Sequence, residues 1–324
     1  MITASSKIAA LGLLSSALLF TACGKKGEVV PAEATLPEAP DAAIQKVIRE
    51  FAQGNGGILW QAMPASYQSD VNSLVQLAGS KFDAELYDQS CALISRLGDV
   101  AEKQQAFIFN SALAKSSEGE KAQFQQALPA VVGILKTLTT SDLASSAGLL
   151  AFDGQQFFDS TVSKIATHAN GLSKLSEQAV GLSDYIAVVV SVIEGSETEA
   201  TLQIGIPNQS AETTRFSKVE GRWVPAEMAA EWAAEIAGAQ AKLEAMSVES
   251  MAAKKPQVMG VLTMIDGVLA QIEAAETQAQ FDQAVQGAMM PLMGLMMMGQ
   301  GMGGGMSAPA VPSPTAPSGL PAVK

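Results

Sequence analysis

Apolar residues recur at the spacing of an α-helix over most of the chain between residues 41 and 182. The clearest stripe follows the i, i+3, i+4, i+7 pattern of one helix face: Ile44, Val47, Ile48 and Phe51. Pro40 precedes this stripe, and Asp41 is a residue type that caps helix N-termini. We therefore predict a first helix from about Asp41, followed by further helices up to residue 182.

Two of the later predicted helices carry longer apolar stripes, which we expect to face the core. The inward positions of the first are Leu86, Leu93, Leu97 and Val100. Those of the second are Phe124, Leu128, Val131, Val132, Leu135 and Leu138. Pro129 falls within the second stripe. Since proline removes a backbone hydrogen bond, it predicts either a kink in this helix or the true start of the helix.

The period changes from helix to strand after residue 183. Residues 185–193 read YIAVVVSVI, a β-branched and almost wholly apolar run, which is typical of a strand covered on both faces. Residues 197–206 alternate apolar and polar positions, as a half-buried strand does. Glu220 and Gly221 form a two-residue loop between two further strand segments. The pattern predicts an antiparallel meander of three or four strands over about residues 185–224.

Helical periodicity returns after Pro225, so the predicted fold class is α+β, mainly α: a multi-helix body with a small β-meander. The predicted organisation along the chain is a signal segment at 1–22, a flexible tether at 23–40, a helical region at 41–182, the meander at 183–225, a second helical region at 226–290 on the same body, and a low-complexity tail at 291–324.

Methionine is concentrated near the C-terminus. Residues 289–306 read MMPLMGLMMMGQGMGGGM and contain eight of the chain's 15 methionines. Residues 307–324 are mostly Pro, Ala and Ser, and the composition of this Met/Gly/Pro-rich tail predicts disorder. Thioethers select Cu(I), and methionine also suits adaptable contacts with a partner or a membrane. A last helix packed on the core is the simpler interpretation of the first part of this tract.

The N-terminus has the three parts of a secretory signal. Lys7 supplies the positive charge, residues 8–20 form an uncharged apolar core too short to span a bilayer, and small residues precede Cys23. The sequence Leu-Phe-Thr-Ala-Cys at 19–23 resembles the lipobox of the bacterial lipoprotein class, with Phe20 a less usual occupant of its position. The resemblance covers residues 1–24. An ordinary secretory signal with an incidental cysteine is the alternative.

In the lipoprotein class, the cysteine corresponding to Cys23 becomes the first mature residue and receives diacylglycerol and an acyl chain such as palmitate. The resemblance thus implies a lipidation site at Cys23, with membrane lipid as the partner, in the cell envelope facing the periplasm or the exterior. Stable anchoring takes two lipid signals, which this modification provides. Gly24 stands where an aspartate usually retains Gram-negative lipoproteins in the inner membrane, so the outer membrane is favoured if the source is Gram-negative.

Charge and cysteine content exclude several classes of function. The net charge of −12 argues against nucleic acid binding, which requires basic patches. It equally argues against electrostatic docking on anionic lipid. The two cysteines are Cys23 and Cys91, so the mature body holds one thiol and no internal disulfide.

The residues that could carry chemistry do not form a catalytic or metal-binding motif. His168 is the only histidine and has no nucleophile motif such as G-x-S-x-G beside it. Cys91 lies at the edge of an apolar stripe, which is typical of an inert thiol. Glu227, Glu231 and Glu235 form an acidic ladder that is typical of a solvated helix face. We therefore predict no catalytic residue, no metal site and no cofactor.

A second, local resemblance concerns the mature domain. The Gly-Asn-Gly at 54–56, the Pro-Ala-Ser-Tyr at 64–67 and the strand pair ending at Val224 are similar to small envelope lipoproteins with an NTF2-like fold. More than 100 intervening residues depart from that fold, so no site is carried over. The function predicted from these features is non-enzymatic binding or scaffolding at the membrane surface, with an envelope protein as partner. The alternatives are Cu(I) handling by the methionine tract, and ligand binding or hydrolysis in a cleft between helices and sheet.

Overall fold

A computed structural model describes residues 36–111, 118–173, 181–207 and 209–288. Within these residues the protein is an α+β structure, mainly helical, with a four-stranded antiparallel sheet, which confirms the predicted fold class. The predicted signal segment at 1–22, most of the tether at 23–40 and the tail at 291–324 lie outside the described residues.

The helices and strands have the following bounds. The α-helices are α1 Pro40–Ala52, α2 Gly57–Ala62, α3 Ala65–Lys81, α4 Ala84–Lys103, α5 Gln105–Asn110, α6 Glu118–Thr139, α7 Ser146–Leu150, α8 Gly154–Phe157, α9 Ser163–Ser173, α10 Ala226–Glu244, α11 Val248–Glu273 and α12 at 278–288. The strands are β1 Val189–Gly195, β2 Glu199–Gly205, β3 Glu212–Val219 and β4 Arg222–Pro225. A π-helical turn, Phe158–Val162, joins α8 to α9, and 3₁₀ turns lie at Asp142–Ala144 and Leu182–Ala187.

Two prolines lie inside helices. Pro129 lies inside α6, so of the two predicted alternatives it is not the start of that helix, and Pro256 lies inside α11. At α1 the helix begins at Pro40, and the N-cap residue is Ala39, whose methyl side chain cannot accept a hydrogen bond. Asp41 therefore lies in the first turn, where its negative charge favours the positive end of the helix dipole.

The sheet is a meander in the order β1-β2-β3-β4, with every neighbouring pair antiparallel. Glu220 and Gly221 have φ values of 48° and 78°, the left-handed geometry that a two-residue hairpin loop requires. The predicted alternation of β2 is confirmed, since Ala200, Leu202 and Ile204 are all buried. One face of the sheet thus packs against α1, through Ala43 and Ile44, and forms the first apolar core.

A second apolar core lies between α3, α7 and α10 and continues to the end of the sheet. It contains Trp60, Met63, Tyr67, Val71, Val75, Leu149, Phe152, Val224 and Trp232. This core joins the helical region before the sheet to the helical region after it.

The remaining helices form a layer in which α4 packs against both α11 and α6, and α6 packs against α9. Ion pairs line the α4–α11 contact: Arg96 pairs with Asp266 and Glu273, and Lys255 pairs with Asp83 and Glu85. At one end of the layer, the buried side-chain amide of Gln104 donates hydrogen bonds to the carbonyl oxygens of Ile272, Glu273 and Ala275 at 3.0, 2.8 and 3.1 Å. Gln104 therefore satisfies the unpaired carbonyls where α11 ends.

Part of the predicted helical core faces solvent instead. Leu97 in α4 and Phe124, Val131 and Leu138 in α6 are 50, 49, 47 and 37% exposed. The apolar stripes of α4 and α6 are wider than the contact between the two helices, so each stripe extends beyond what its neighbour covers. Periodicity identifies such a stripe but does not identify what packs on it.

Candidate binding surface

Two of the predicted sites fall outside the described residues. Cys23, the predicted lipidation site, precedes residue 36, and the methionine tract at 289–306 follows residue 288. Both remain predictions.

His168 lies in α9, where its imidazole ring packs against the backbone of α6. A Cβ placed on Gly133 would lie 2.3 Å from Cε1 of His168, so the absence of a side chain at Gly133 makes room for the ring. The half-buried histidine thus occupies a helix–helix contact. His168 is therefore a packing residue of the contact between α6 and α9.

Cys91 is half-buried in α4, one turn after Tyr87. Burial raises the pKa of the Cys91 thiol, and the negative charge of Asp88 acts in the same direction, while a hydrogen bond with Tyr87 opposes them in part. The thiol is therefore protonated at neutral pH and is a weak nucleophile.

The acidic ladder of α10 is solvent-exposed at all three positions: Glu227, Glu231 and Glu235. Nowhere in the described ranges do three or more His, Cys, Asp or Glu side chains gather as they would around a metal ion. The ladder is a solvated helix face.

The junction between helices and sheet is filled by side chains. The rings of Tyr67 and Trp232 stack with their centroids 4.0 Å apart and their planes 8° apart. Trp232 also donates a hydrogen bond from Nε1 to Asp70 at 2.8 Å, and Val224 of β4 packs beside it. An apolar core thus occupies this junction, where the alternative function places a cleft.

The first strand of the sheet is exposed, contrary to the prediction of a strand covered on both faces. The regular strand begins at Val189, because Tyr185 belongs to the preceding 3₁₀ turn. Val190 points into the core and is 7% exposed, whereas Val189, Val192 and Ile193 are 62, 44 and 55% exposed. We call these three side chains, together with the backbone between them, the β1 edge.

The position of β1 in the sheet explains this exposure. β1 is the outer strand of the meander and pairs only with β2. Helix α1 covers the beginning of the edge, where Arg49 donates to the carbonyl oxygen of Val188 and Gln45 accepts from the N–H of Val190, each at 3.0 Å. The N–H of Val190 points away from β2, towards Gln45. Backbone N–H groups two residues apart point to the same side of a strand, so the N–H of Val192 also points away from β2.

The end of the β1 edge is irregular. The pairing with β2 shifts between Val192 and Glu194, so Ile193 occupies a β-bulge. Bulges are a common way to limit uncontrolled pairing at a sheet edge. The open part of the edge is therefore short and lies between Val190, whose N–H is already bonded to Gln45, and Ile193. Sequence order contained a signal for this surface, since the first strand of a meander lies at an edge of its sheet.

Comparisons with known proteins identify no relative. No family model matches the chain, and neither the curated proteins nor the solved structures contain a significant match. Within the described part of the chain, no helix combines the length and apolarity needed to cross a membrane.

Proposed function

We propose that this chain is a lipid-anchored, non-enzymatic binding protein of the bacterial cell envelope. In this proposal the acylated Cys23 holds the protein on the membrane, and the β1 edge binds an extended segment of another envelope protein by adding a strand to the sheet. The observation that carries the binding role is the exposed apolar edge, with an outward N–H at Val192.

The geometry of the tether supports the anchoring role. The carbonyl oxygen of Glu38 accepts a hydrogen bond from Nε1 of Trp223 at 2.9 Å, which attaches the end of the tether to β4. Glu38 follows Cys23 by 15 positions. At about 3.3 Å per extended residue this length of chain can span up to roughly 50 Å, so the β1 edge has room to meet a partner above the bilayer.

Polar neighbours make a peptide strand a better occupant of this edge than a lipid. The outer face of the sheet beside β1 carries exposed Gln203, Thr213 and Arg215. An extended peptide satisfies the backbone groups of the edge and places alternate side chains over both apolar and polar positions. Acyl chains would leave the polar side chains without hydrogen-bond partners.

The anchor is tested by comparing the two cysteines in the same cells. We expect Cys23→Ser to abolish incorporation of labelled palmitate and to release the chain from the membrane fraction, while Cys91→Ser changes neither. In a Gram-negative host, Gly24→Asp should move the chain from the outer to the inner membrane fraction. Membrane association and labelling that survive Cys23→Ser would overturn the anchoring role.

The binding role is tested with a photoreactive amino acid at Ile193 of the full chain in intact cells, with the same probe at Val258 as control. Val258 is 40% exposed on α11. We expect an adduct with another envelope protein from position 193 and not from position 258. Val192→Pro should abolish this adduct because it removes the outward N–H, whereas Val192→Thr should preserve the adduct.

Circular dichroism of both variants checks that the fold is retained. An adduct that survives Val192→Pro, an adduct with lipid, or an adduct between two copies of this chain contradicts the proposed binding mode.

A further inference from the structure

A continuous apolar surface lies on one side of the α4–α6 pair. Its exposed members are Ile94 and Leu97 of α4, at 46 and 50%, and Phe124, Val131 and Leu138 of α6, at 49, 47 and 37%. The three residues of α6 are spaced by seven positions, which places them in a line along the helix. We call these five side chains the α4–α6 face.

The packing of α4 on α6 shows that the exposed apolar residues of the two helices lie on the same side of the pair. Gly98 of α4 lies against Leu135 and Lys136 of α6, and Ala101 lies near Leu128 and Val132, so the helices are antiparallel. Lys136 pairs with Asp99 and Glu102, which marks one side of the contact as the charged side.

Helical spacing then assigns the exposed apolar residues to the opposite side. At 100° per residue, Ile94 and Leu97 are displaced from Gly98 in the direction away from Asp99. Around the axis of α6, the residues on the same side as Leu135 and away from Lys136 are Phe124, Val131 and Leu138. The α4–α6 face is therefore one surface and not two separate patches.

We propose that the methionine-rich segment 289–306 of this chain packs on the α4–α6 face. The chain enters this segment directly from α12, whose residue Phe281 is 4% exposed and contacts Phe107 with ring centroids 5.9 Å apart. Phe109, in the same short helix as Phe107, makes an edge-on contact with Phe124 at 5.5 Å. Helix α12 is thus fixed at the Phe124 end of the face.

Length and chemistry both fit this occupant. Helix α6 has 22 residues and is about 33 Å long, whereas the 18 residues of 289–306 extend to about 60 Å. The segment has no charged residue, and α6 has none between positions 122 and 135. Methionine adapts to irregular apolar surfaces, and its sulfur makes favourable contacts with aromatic rings such as that of Phe124.

Attachment to the same chain favours this segment over the other occupants. A tethered segment acts at an effective concentration in the millimolar range. A second copy of the protein must instead overcome the loss of translational and rotational freedom. Pro291 and the glycines of 289–306 interrupt a helix, which favours an irregular segment lying along the face over one that enters a bilayer.

The test uses the full chain with a photoreactive amino acid at Val131 and, as control, at Val258 on α11. We expect irradiation of position 131 to give an adduct within one chain, mapped by mass spectrometry of peptides to residues 289–306. Position 258 should not give this adduct. Replacing Met293, Met296, Met297 and Met298 by serine should abolish the adduct while the circular dichroism spectrum stays the same.

Every other outcome at position 131 overturns the proposal. An adduct between two chains identifies a second copy as the occupant, and an adduct with lipid identifies the membrane surface. An adduct to 289–306 that persists after the serine replacements shows that the methionines do not direct the contact. Absence of any adduct shows that the face is open to water.

Discussion

The phenol ring of Tyr67 in α3 stacks on the indole of Trp232 in α10, with 4.0 Å between the ring centroids. Along the chain, the helices from α4 to α9 and the sheet lie between the two residues. Asp70, one turn after Tyr67, accepts the indole N–H at 2.8 Å, so the stack is fixed in position as well as buried. This contact ties the helices that follow the sheet to the helices that precede it.

Removal of this indole should strongly destabilise the protein. We expect Trp232→Ala to lower the free energy of unfolding by about 3–5 kcal/mol, because a large buried aromatic group is lost. Trp232→Phe keeps an aromatic ring but leaves Asp70 without its donor, so its cost should be smaller. Chemical denaturation measures both, with Val258→Ala at an exposed apolar position as control, for which a change within about 0.5 kcal/mol is expected. Equal stability of Trp232→Ala and the wild type would show that the contact does not join the two regions.

A negative charge at position 104 should destabilise the protein more than shortening of the side chain does. Its amide donates to three carbonyl oxygens at the end of α11, within hydrogen-bonding distance of each. Gln104→Ala leaves these carbonyls unpaired, at a cost of about 1–3 kcal/mol. Gln104→Glu replaces the donor by a buried carboxylate facing carbonyl oxygens, so it should be worse than Gln104→Ala at neutral pH.

Thermal melts at two pH values check the order of the Gln104 variants. Protonation of the new carboxyl group should recover part of the stability of Gln104→Glu at low pH. The neighbouring Gln105 is exposed, so Gln105→Glu is the matched control. A Gln104→Glu variant as stable as the wild type at neutral pH would contradict the capping role.

Hydrophobic periodicity predicted the positions of the helices and strands better than it predicted which of their side chains are buried. The change from helices to an antiparallel meander and the Glu220–Gly221 loop were both predicted correctly, because they depend on local backbone geometry, although the first strand begins at Val189 and not at Tyr185. The burial of Leu97 and Val131 was predicted wrongly, since burial depends on which element packs on each stripe. The same reason explains β1, whose apolar run was predicted to be covered on both faces.

The β1 edge was harder to predict from the sequence than the fold was. The exposure of Val192 follows from its place in the outer strand, and the partners of the edge, Arg49 and Gln45, come from about 140 residues earlier in the chain. Neither residue stands in a motif. Contacts between such distant positions are set by tertiary packing, which a local pattern does not report.

An alanine at position 133 should destabilise the protein, although alanine normally favours a helix over glycine by about 1 kcal/mol. The new Cβ would lie 2.3 Å from the ring of His168, so α6 and α9 must separate or the ring must move. We expect a net loss of about 1–3 kcal/mol in the free energy of unfolding. Gly238→Ala in α10 is the matched control, because nothing lies within 4 Å of its new Cβ, and it should stabilise the protein.

A double variant separates the clash at position 133 from other effects. In a His168→Ala background the ring is absent, so Gly133→Ala should change from destabilising to neutral or stabilising. The coupling is read from denaturation curves of the two single variants and the double variant. Additive effects would show that the two positions do not contact each other.

The ion pair between Asp83 and Lys255 should make stability depend on pH in the acidic range. Hydrogen bonds from Lys255 and from the backbone N–H of Leu86 lower the pKa of Asp83. A carboxyl group with a lowered pKa in the folded state contributes stability that is present above its unfolded pKa of about 3.9 and is lost as the pH falls through the folded value.

Asparagine at position 83 isolates the contribution of charge. Asp83→Asn retains an oxygen that can cap α4 but removes the attraction to Lys255. The stability difference between the wild type and Asp83→Asn should therefore be largest near neutral pH and should vanish in acid below the folded pKa of Asp83. It should also shrink in about 1 M salt, which screens exposed charges. A difference that does not change with pH would assign the effect to the cap alone.

Alkaline conditions should reveal the burial of the phenol groups. Burial is the main cause that raises the pKa of Tyr67, Tyr87 and Tyr185, and these are the three tyrosines of the chain. For Tyr87 the pKa rises to about 12. Since the folded state holds these phenols in the protonated form, their contribution to stability is complete below the unfolded pKa of about 10 and is lost as the pH rises through the folded values.

Tyrosinate absorbance measures this titration directly. We expect the folded protein to titrate above the midpoint of about 10 that the denatured chain shows, with the last step belonging to Tyr87. Tyr87→Phe should remove that last step and leave the two lower ones. The phenol of Tyr87 also donates a hydrogen bond to the carbonyl oxygen of Leu143, so Tyr87→Phe should lower the melting temperature at neutral pH as well. A titration that keeps its highest step in Tyr87→Phe would assign that step to another tyrosine and would contradict the burial of Tyr87 between α4 and the Asp142–Ala144 turn.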